Sequence, residues 1–428
     1  MPQSLRQGDH NIHNVEKKSC KRLFLAPLIL TVLILGNACS GEESSGNARS
    51  TILFIGDGLG AAHRGAIRLA EVGSEDNLEM DSLPHTGFSS TSPVGSGTPV
   101  TDSAAGGTAI ASGVKTRNGT VGVDAEGERV PTLLEQAKEV GKSAGLVTTS
   151  QVTDATPAAF GAHVESRYNQ SEIARQYLEA TKPDVILGGG EDYWYPEGDP
   201  GAHPDSSSED SEEGSRGYKG DLVAKAEKLG YDYVTGAEGL DSADGPKLLG
   251  LFANAQMFVS GPEGEGAVYD PAVSLPVMTR KAIEVLSENE EGFFLLVEEE
   301  AIDEMSHANN AKLTLKAGQQ LDESVKVAKD YVESNPDTLL IVAADHETGG
   351  MSVEALDQGS EKQQLDPGED GPFPVADSEI QFSIDWTTGD HTAGNVPITA
   401  EGPGADRVEG VYENTHLYEA IKESLLGG

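Results

Sequence analysis

The chain has 428 residues, with 71 acidic against 30 basic side chains and a net charge of −41. That balance excludes nucleic acid as a structural partner, because phosphate backbones are held by Lys and Arg. Hydrophobic content of 37% with 51 glycines fits a folded chain with many turns, long enough for one large α/β domain or two ordinary ones.

Residues 1–38 read as a signal peptide: basic KKSCKR, the apolar run LFLAPLILTVLIL, then small residues up to Ala38. The apolar run is short for a bilayer span and suits a secretory signal. Cys39 and the following SGEESSGNARS resemble a bacterial lipoprotein start, with 39–50 as a flexible tether, although Gly36 stands where such signals carry Leu. The chain is therefore expected to be exported, periplasmic or at the cell surface, with Cys39 as the point of lipid anchoring. Both cysteines, Cys20 and Cys39, fall in this segment, so the catalytic domain expected at 50–428 carries no disulfide. Removing 1–38, with five basic and two acidic residues, leaves a charge of about −44. Such a charge predicts adaptation to high salt, with melting temperature rising from low to molar salt as self-repulsion is screened. A flat or falling series of thermal melts rejects it.

Along the chain, apolar runs of strand length each end in something polar. TILFI (51–55) leads into Gly56-Asp57-Gly58, SAGLVTTS (143–150) precedes Asp154, and DVIL (184–187) runs into three glycines. FFLLV (293–297) ends on Glu298 and LLIVAA (339–344) on Asp345-His346. Between them, apolar spacing predicts helices at 132–140, 171–180, 221–229 and 278–287. The alternation predicts an α/β fold, a mostly parallel central sheet with helices on both faces. Its site belongs at the C-terminal edge of the strands, where such sheets bind ligands. Two acidic, Gly/Pro-containing stretches, 191–217 and 357–377, read as loop insertions at the surface.

VTDSAAGGTA (100–109) admits two readings. Asp or Ser before an Ala-rich run is a helix N-cap; equally, Ser103 at a helix N-terminus is a nucleophile placed where dipoles favour an anion. In the second reading Ala104, Ala105, Gly106 and Gly107 leave room around the hydroxyl. Asp303 and His307 in AIDEMSH are four apart, so on a helix they share one face. AADHETGG supplies Asp345 and His346, TGDHTAGNVPI supplies His391, and GDGLG supplies Asp57. Three carboxylates and three imidazoles suffice for two zinc-like sites. Asp154, Thr156 and Glu298 are all-oxygen and suit Mg²⁺. Two close metal ions clamp the attacking and leaving oxygens of a phosphoryl transfer.

Together GDGLG, VTDSAAGGTA, GVKTRNGTVGVD, DATPAA, the VE…IDEMSHAN segment, AADHETGG, DHTAGNVPI and GVYENT resemble the alkaline phosphatase family, in family order over most of 50–428. The resemblance implies phosphomonoester hydrolysis through a phosphorylated Ser103. It implies one zinc on Asp303, His307 and His391, a second on Asp57, Asp345 and His346, and magnesium among Asp57, Asp154, Thr156 and Glu298. Arg167 in HVESRY matches the arginine that grips phosphate. Members are often homodimers. The sequence departs from the family pattern at Glu299 and Glu300, where small residues are common, at Glu304, where Lys, Trp or His stands, and in its acidic loops. Rival readings are a superfamily phosphodiesterase, phosphoglycerate mutase or sulfatase, and a non-catalytic metal- or phosphate-binding lipoprotein. A sulfatase motif is absent, since Ser103 is followed by Ala-Ala-Gly.

Overall fold

The structure, a computed structural model, describes residues 47–203, 214–260, 267–356, 365 and 368–427. The signal-peptide and lipid-anchor assignments, with Cys20 and Cys39, lie outside the described residues. Among these residues no helix is long and apolar enough to cross a membrane.

The strands are β1 (Ser50–Gly56), β2 (His85–Ser90), β3 (Ser143–Gln151), β4 (Val185–Gly189), β5 (Asp232–Val234), β6 (Leu248–Leu251), β7 (Phe293–Glu299) and β8 (Thr338–Ala343). They continue with β9 (Glu347–Thr348), β10 (Met351–Ala355), β11 (Asp370–Pro374), β12 (Gln381–Trp386), β13 (His391–Thr392), β14 (Val396–Glu401) and β15 (Gly410–Glu413). The helices are α1 (Ala61–Glu71), α2 (Ser103–Ser112), α3 (Leu133–Glu139), α4 (Ala155–Gly161), α5 (Gln170–Gln176) and α6 (Leu222–Lys228). After them come α7 (Ala237–Ser242), α8 (Leu275–Ser287), α9 (Ala301–His307), α10 (Ala311–Ser334) and α11 (Thr415–Leu426).

Ten strands form one sheet in the order β15-β2-β14-β8-β1-β7-β3-β4-β6-β5. The five apolar runs are its contiguous centre, β8-β1-β7-β3-β4, and all four pairings there are parallel. β14 is antiparallel to both its neighbours. Side chains alternate across the sheet with period two: Leu53 and Ile55 join the apolar layer of α2, α3, α4, α5, α6 and α11. Ile52 and Phe54 join the opposite layer, with α1, α7, α8, α9 and α10. Helices thus cover both faces, as the alternation requires.

Three boundaries differ from the sequence expectation. The tether ends before residue 50, because Ala48 is buried and its N–H donates to Ser424 O at 2.7 Å. The stretch at 191–217 begins as packed structure, not as a surface loop: Glu191, Asp192 and Trp194 are buried. Glu191 accepts hydrogen bonds from the N–H groups of Ala202 and His203, which is what allows a carboxylate there. Within 357–377, Asp370–Pro374 pairs as β11 with β12, and Asp370 accepts from Ala311 N and Trp386 Nε1. The remaining parts of both insertions, 204–213, 357–364 and 366–367, lie outside the described residues.

The small residues of α2, read from the sequence as leaving room around the Ser103 hydroxyl, have a packing role. A Cβ added at Gly106 would meet Asp345 O at 3.0 Å and Asp345 Cβ at 3.2 Å. One at Gly107 would meet Ala159 Cβ at 3.1 Å and Thr156 Cα at 3.5 Å. The stripped face therefore seats α2 against the segment that bears Asp345 and against α4. Gly106→Val overpacks this contact and should destabilise the fold by about 1–3 kcal/mol. An unchanged melting temperature would show that the contact yields.

Candidate active site

Most candidate residues sit at a strand end or a helix start, whereas Arg167 lies in the turn between α4 and α5 and His307 closes α9. Asp57 follows β1, Asp345 and His346 follow β8, and Glu298 is the penultimate residue of β7. Asp154 is the N-cap of α4 and Thr156 lies in its first turn. α9 is one short helix carrying Asp303 and His307 on a common face. His391 is brought in by β13, whose two residues pair antiparallel with β9, opposite Thr348. Ser103 opens α2, where Asp102 is the N-cap and accepts from Ala105 N at 3.0 Å. Asp102 is thus the cap of the Asp-Ser pair, and Ser103 stands at the helix N-terminus.

Seven of the eleven candidates line one cavity of about 410 Å³; only Thr156, Glu298, Asp345 and His346 do not. Those four are buried, and His346 reaches the others, its Nε2 lying 3.2 Å from Ser103 Oγ. The same nitrogen is 3.3 Å from Asp57 Oδ1 and 3.3 Å from Asp345 Oδ2. His307 Nε2 is 3.2 Å from Asp303 Oδ2 and 3.0 Å from His391 Nε2. Asp303 Oδ1 stands 3.5 Å from His391 Nε2 and 3.9 Å from His346 Nδ1, so this carboxylate touches both sets. Outer partners orient the rings: His307 Nδ1 bonds Gly389 O and His391 Nδ1 bonds Thr101 O, leaving each Nε2 turned inward.

The donors fit metal ions. Among the described residues two triads hold ligand atoms within 4.8 Å of one another: Asp303, His307 and His391, and Asp57, Asp303 and His346. Asp57 Oδ1 and Asp345 Oδ2 are buried without a hydrogen bond, a costly state for a carboxylate that no cation compensates. Burial, then the charges of Asp345 and Asp303, push Asp57 well above the usual carboxylate range. Burial and Asp303 raise Asp345 to about 6. Asp303 goes the other way: burial opposes its charge, but hydrogen bonds with His307 and His391 bring it well below the ordinary value. The Asp303 hydrogen bond raises His307 to about 9, whereas burial pushes His346 well below its ordinary value. Mixed nitrogen and oxygen donors of this kind suit Zn²⁺.

The all-oxygen group is held separately. Glu298 Oε2 accepts from Thr148 Oγ1 at 2.6 Å, and Arg167 Nη2 lies 3.1 and 3.2 Å from the two oxygens of Asp154. Arg167 also approaches Asp102 Oδ2 at 3.5 Å, and its own N–H donates to Gly119 O. Asp102 accepts from Gly119 N as well. It therefore ties the Ser103 helix, the Gly119 turn and Arg167 together, a role its capping position concealed. Thr348 is a second residue the sequence reading passed over: its hydroxyl donates to Asp303 Oδ1. Of the departures, Glu299 accepts from Thr149 and Tyr269 hydroxyls, while Glu300 and Glu304 line the cavity.

Clustered carboxylate and imidazole donors around one serine hydroxyl suit phosphoryl transfer, where cations must steady both the entering and the departing oxygen. On fold and site the molecule is a metal-binding phosphomonoesterase of the α/β class. Similarity narrows this further. The alkaline phosphatase family model matches residues 48–375, and the chain belongs to the alkaline phosphatase family. It is 34% identical to the alkaline phosphatase of Escherichia coli, over 88% of this chain and 86% of that one. It is 31% identical to alkaline phosphatase 4 of Bacillus subtilis, over 91% and 92%. The solved alkaline phosphatase of the Antarctic bacterium TAB5 superposes with a TM-score of 0.72 at 28% identity, covering 89% of this chain and 99% of that one. A variant of that enzyme is described with magnesium bound.

Proposed function

We propose that the protein hydrolyses phosphate monoesters through a phosphoserine on Ser103, at a centre that takes two zinc ions and one magnesium. The observation that carries this reading is the Ser103 hydroxyl at the start of α2, 3.2 Å from His346 Nε2, between the Asp303–His307–His391 and Asp57–Asp345–His346 sets. The first set takes the zinc on the leaving-group side, the second the zinc beside Ser103, and Asp57, Asp154, Thr156 and Glu298 take magnesium. Bound there, these ions supply Lewis acidity that favours the serine alkoxide and the departing oxygen. The Ser103 oxygen forms the new bond to phosphorus as the ester oxygen leaves, and water then releases phosphate from Ser103. Arg167 presents its planar fork to two phosphate oxygens, held in place by Asp102 and Asp154. Residues 1–38 act as an export signal, with Cys39 as lipid anchor and a homodimer as the assembly.

Chelation followed by stepwise reloading tests this. Activity on an aryl phosphate monoester should vanish with the metal and return with zinc, remaining on the order of 100-fold above that on the matching diester. Full activity in chelator, or diester turnover equal to monoester turnover, overturns the reading.

A further inference from the structure

Glu300 is a residue that the family pattern does not explain. It lies just beyond β7, its backbone already helical, and its N–H donates to Thr149 Oγ1 at 3.1 Å. Of its two acidic neighbours in β7, Glu298 meets Thr148, while Glu299 turns to Thr149 and Tyr269. Glu300 is also the N-cap residue of α9, so Glu304, four residues on, shares its side of the helix start. The carboxylates that Glu300 feels most are Asp154, Glu304 and Glu298. Glu300 is 4% exposed and lines the cavity, together with Glu304, Asp154 and Gln151.

The Ser150 hydroxyl beside Glu300 eases its charge, yet neither Ser150 Oγ nor Glu300 Oε2 completes a hydrogen bond. Gln151 Oε1, on the same cavity wall, is likewise without a hydrogen bond. Among the described residues Arg167 is the sole arginine or lysine on that wall, and it is already committed to Asp102 and Asp154. A buried carboxylate oxygen with no donor, facing other carboxylates, calls for a cation. The donors it would share are all oxygens, which a hard divalent ion prefers and zinc does not.

We infer that Glu300 and Glu304, with Asp154 shared and Gln151 contributing its carbonyl, form a further hard-cation site adjoining the magnesium group of Asp154, Thr156 and Glu298. The inference rests on the magnesium assignment above, and extends it to a second all-oxygen position that the family's ligands do not provide. Its function is to offset the charge that Glu300 and Glu304 add to the wall around the phosphate pocket.

The test is a calorimetric magnesium titration of the full chain, stripped and then reloaded with zinc, in high potassium chloride to screen the acidic surface. Magnesium is counted by elemental analysis alongside. Wild type should take up two magnesium ions per chain, and Glu300→Gln one, at the affinity of the tighter wild-type step. Glu304→Gln should weaken the second step by about 10-fold or more without touching the first. A thermal melt of the stripped proteins verifies that each variant folds, and Glu304→Gln carries the test if Glu300→Gln does not. Uptake of one magnesium by wild type, whether or not Glu300→Gln weakens it, overturns this site and leaves the magnesium assignment standing. Uptake of none overturns both.

Discussion

Ser103→Ala should lower phosphomonoester turnover on the order of 10³-fold or more, because only binding and electrostatics remain when a nucleophile is removed. The fold should not notice the change. Asp102, not Ser103, caps α2 through Ala105 N, and Ala is the best helix former for the vacated position. The Ser103 hydroxyl contacts His346 Nε2, a ring that Asp57 and Asp345 still flank in the variant. Zinc content should therefore stay at the wild-type level while phosphoprotein trapped by acid quench disappears. Turnover within tenfold of wild type, with normal metal content, would sink the serine mechanism.

What could be read from the sequence depended on burial. The five apolar runs are the central strands, covered on both faces, and such strands read as continuous hydrophobic segments. β2, HTGFSS, alternates between buried and exposed positions and contains His, Gly and Ser, so it carried no comparable signal. β14 and β15 at the same side of the sheet were equally silent. Asp57, Glu298, Asp345 and His346 were legible because a polar residue closing an apolar strand is expensive unless something uses it. Arg167 stands at no such strand end, and only the resemblance to a family pointed to it, whereas His391 was read from its polar, glycine-flanked turn. Asp102 was legible as a cap, which it is. Its second oxygen, which receives Gly119 N and Arg167, depends on contacts 17 and 65 residues away. The glycines of α2 were noticed for their missing side chains, and the neighbours that take up the space are Asp345 and α4.

Asp303→Asn should cost more metal than loss of any single histidine. Both triads of closely spaced ligand atoms contain Asp303, whereas His307 and His391 belong to one and His346 to the other. Its two oxygens are divided accordingly, Oδ2 toward His307 at 3.2 Å and Oδ1 toward His391 and His346 at 3.5 and 3.9 Å. Asn keeps the shape but loses the charge, and turns one acceptor into a donor that faces nitrogen ligands. His307→Ala and His391→Ala should each lose about one zinc, from three protein ligands per site. Asp303→Asn should retain fewer than one, with activity falling on the order of 100-fold or more, beyond what loss of an outer-shell partner costs. Elemental analysis of all three variants gives the comparison, and melts run in chelator separate loss of metal from loss of fold. If Asp303→Asn keeps one zinc and His307→Ala also keeps one, Asp303 serves a single ion. The two centres would then be linked through the stacked rings of His346 and His391, 3.6 Å apart, and not through a shared carboxylate.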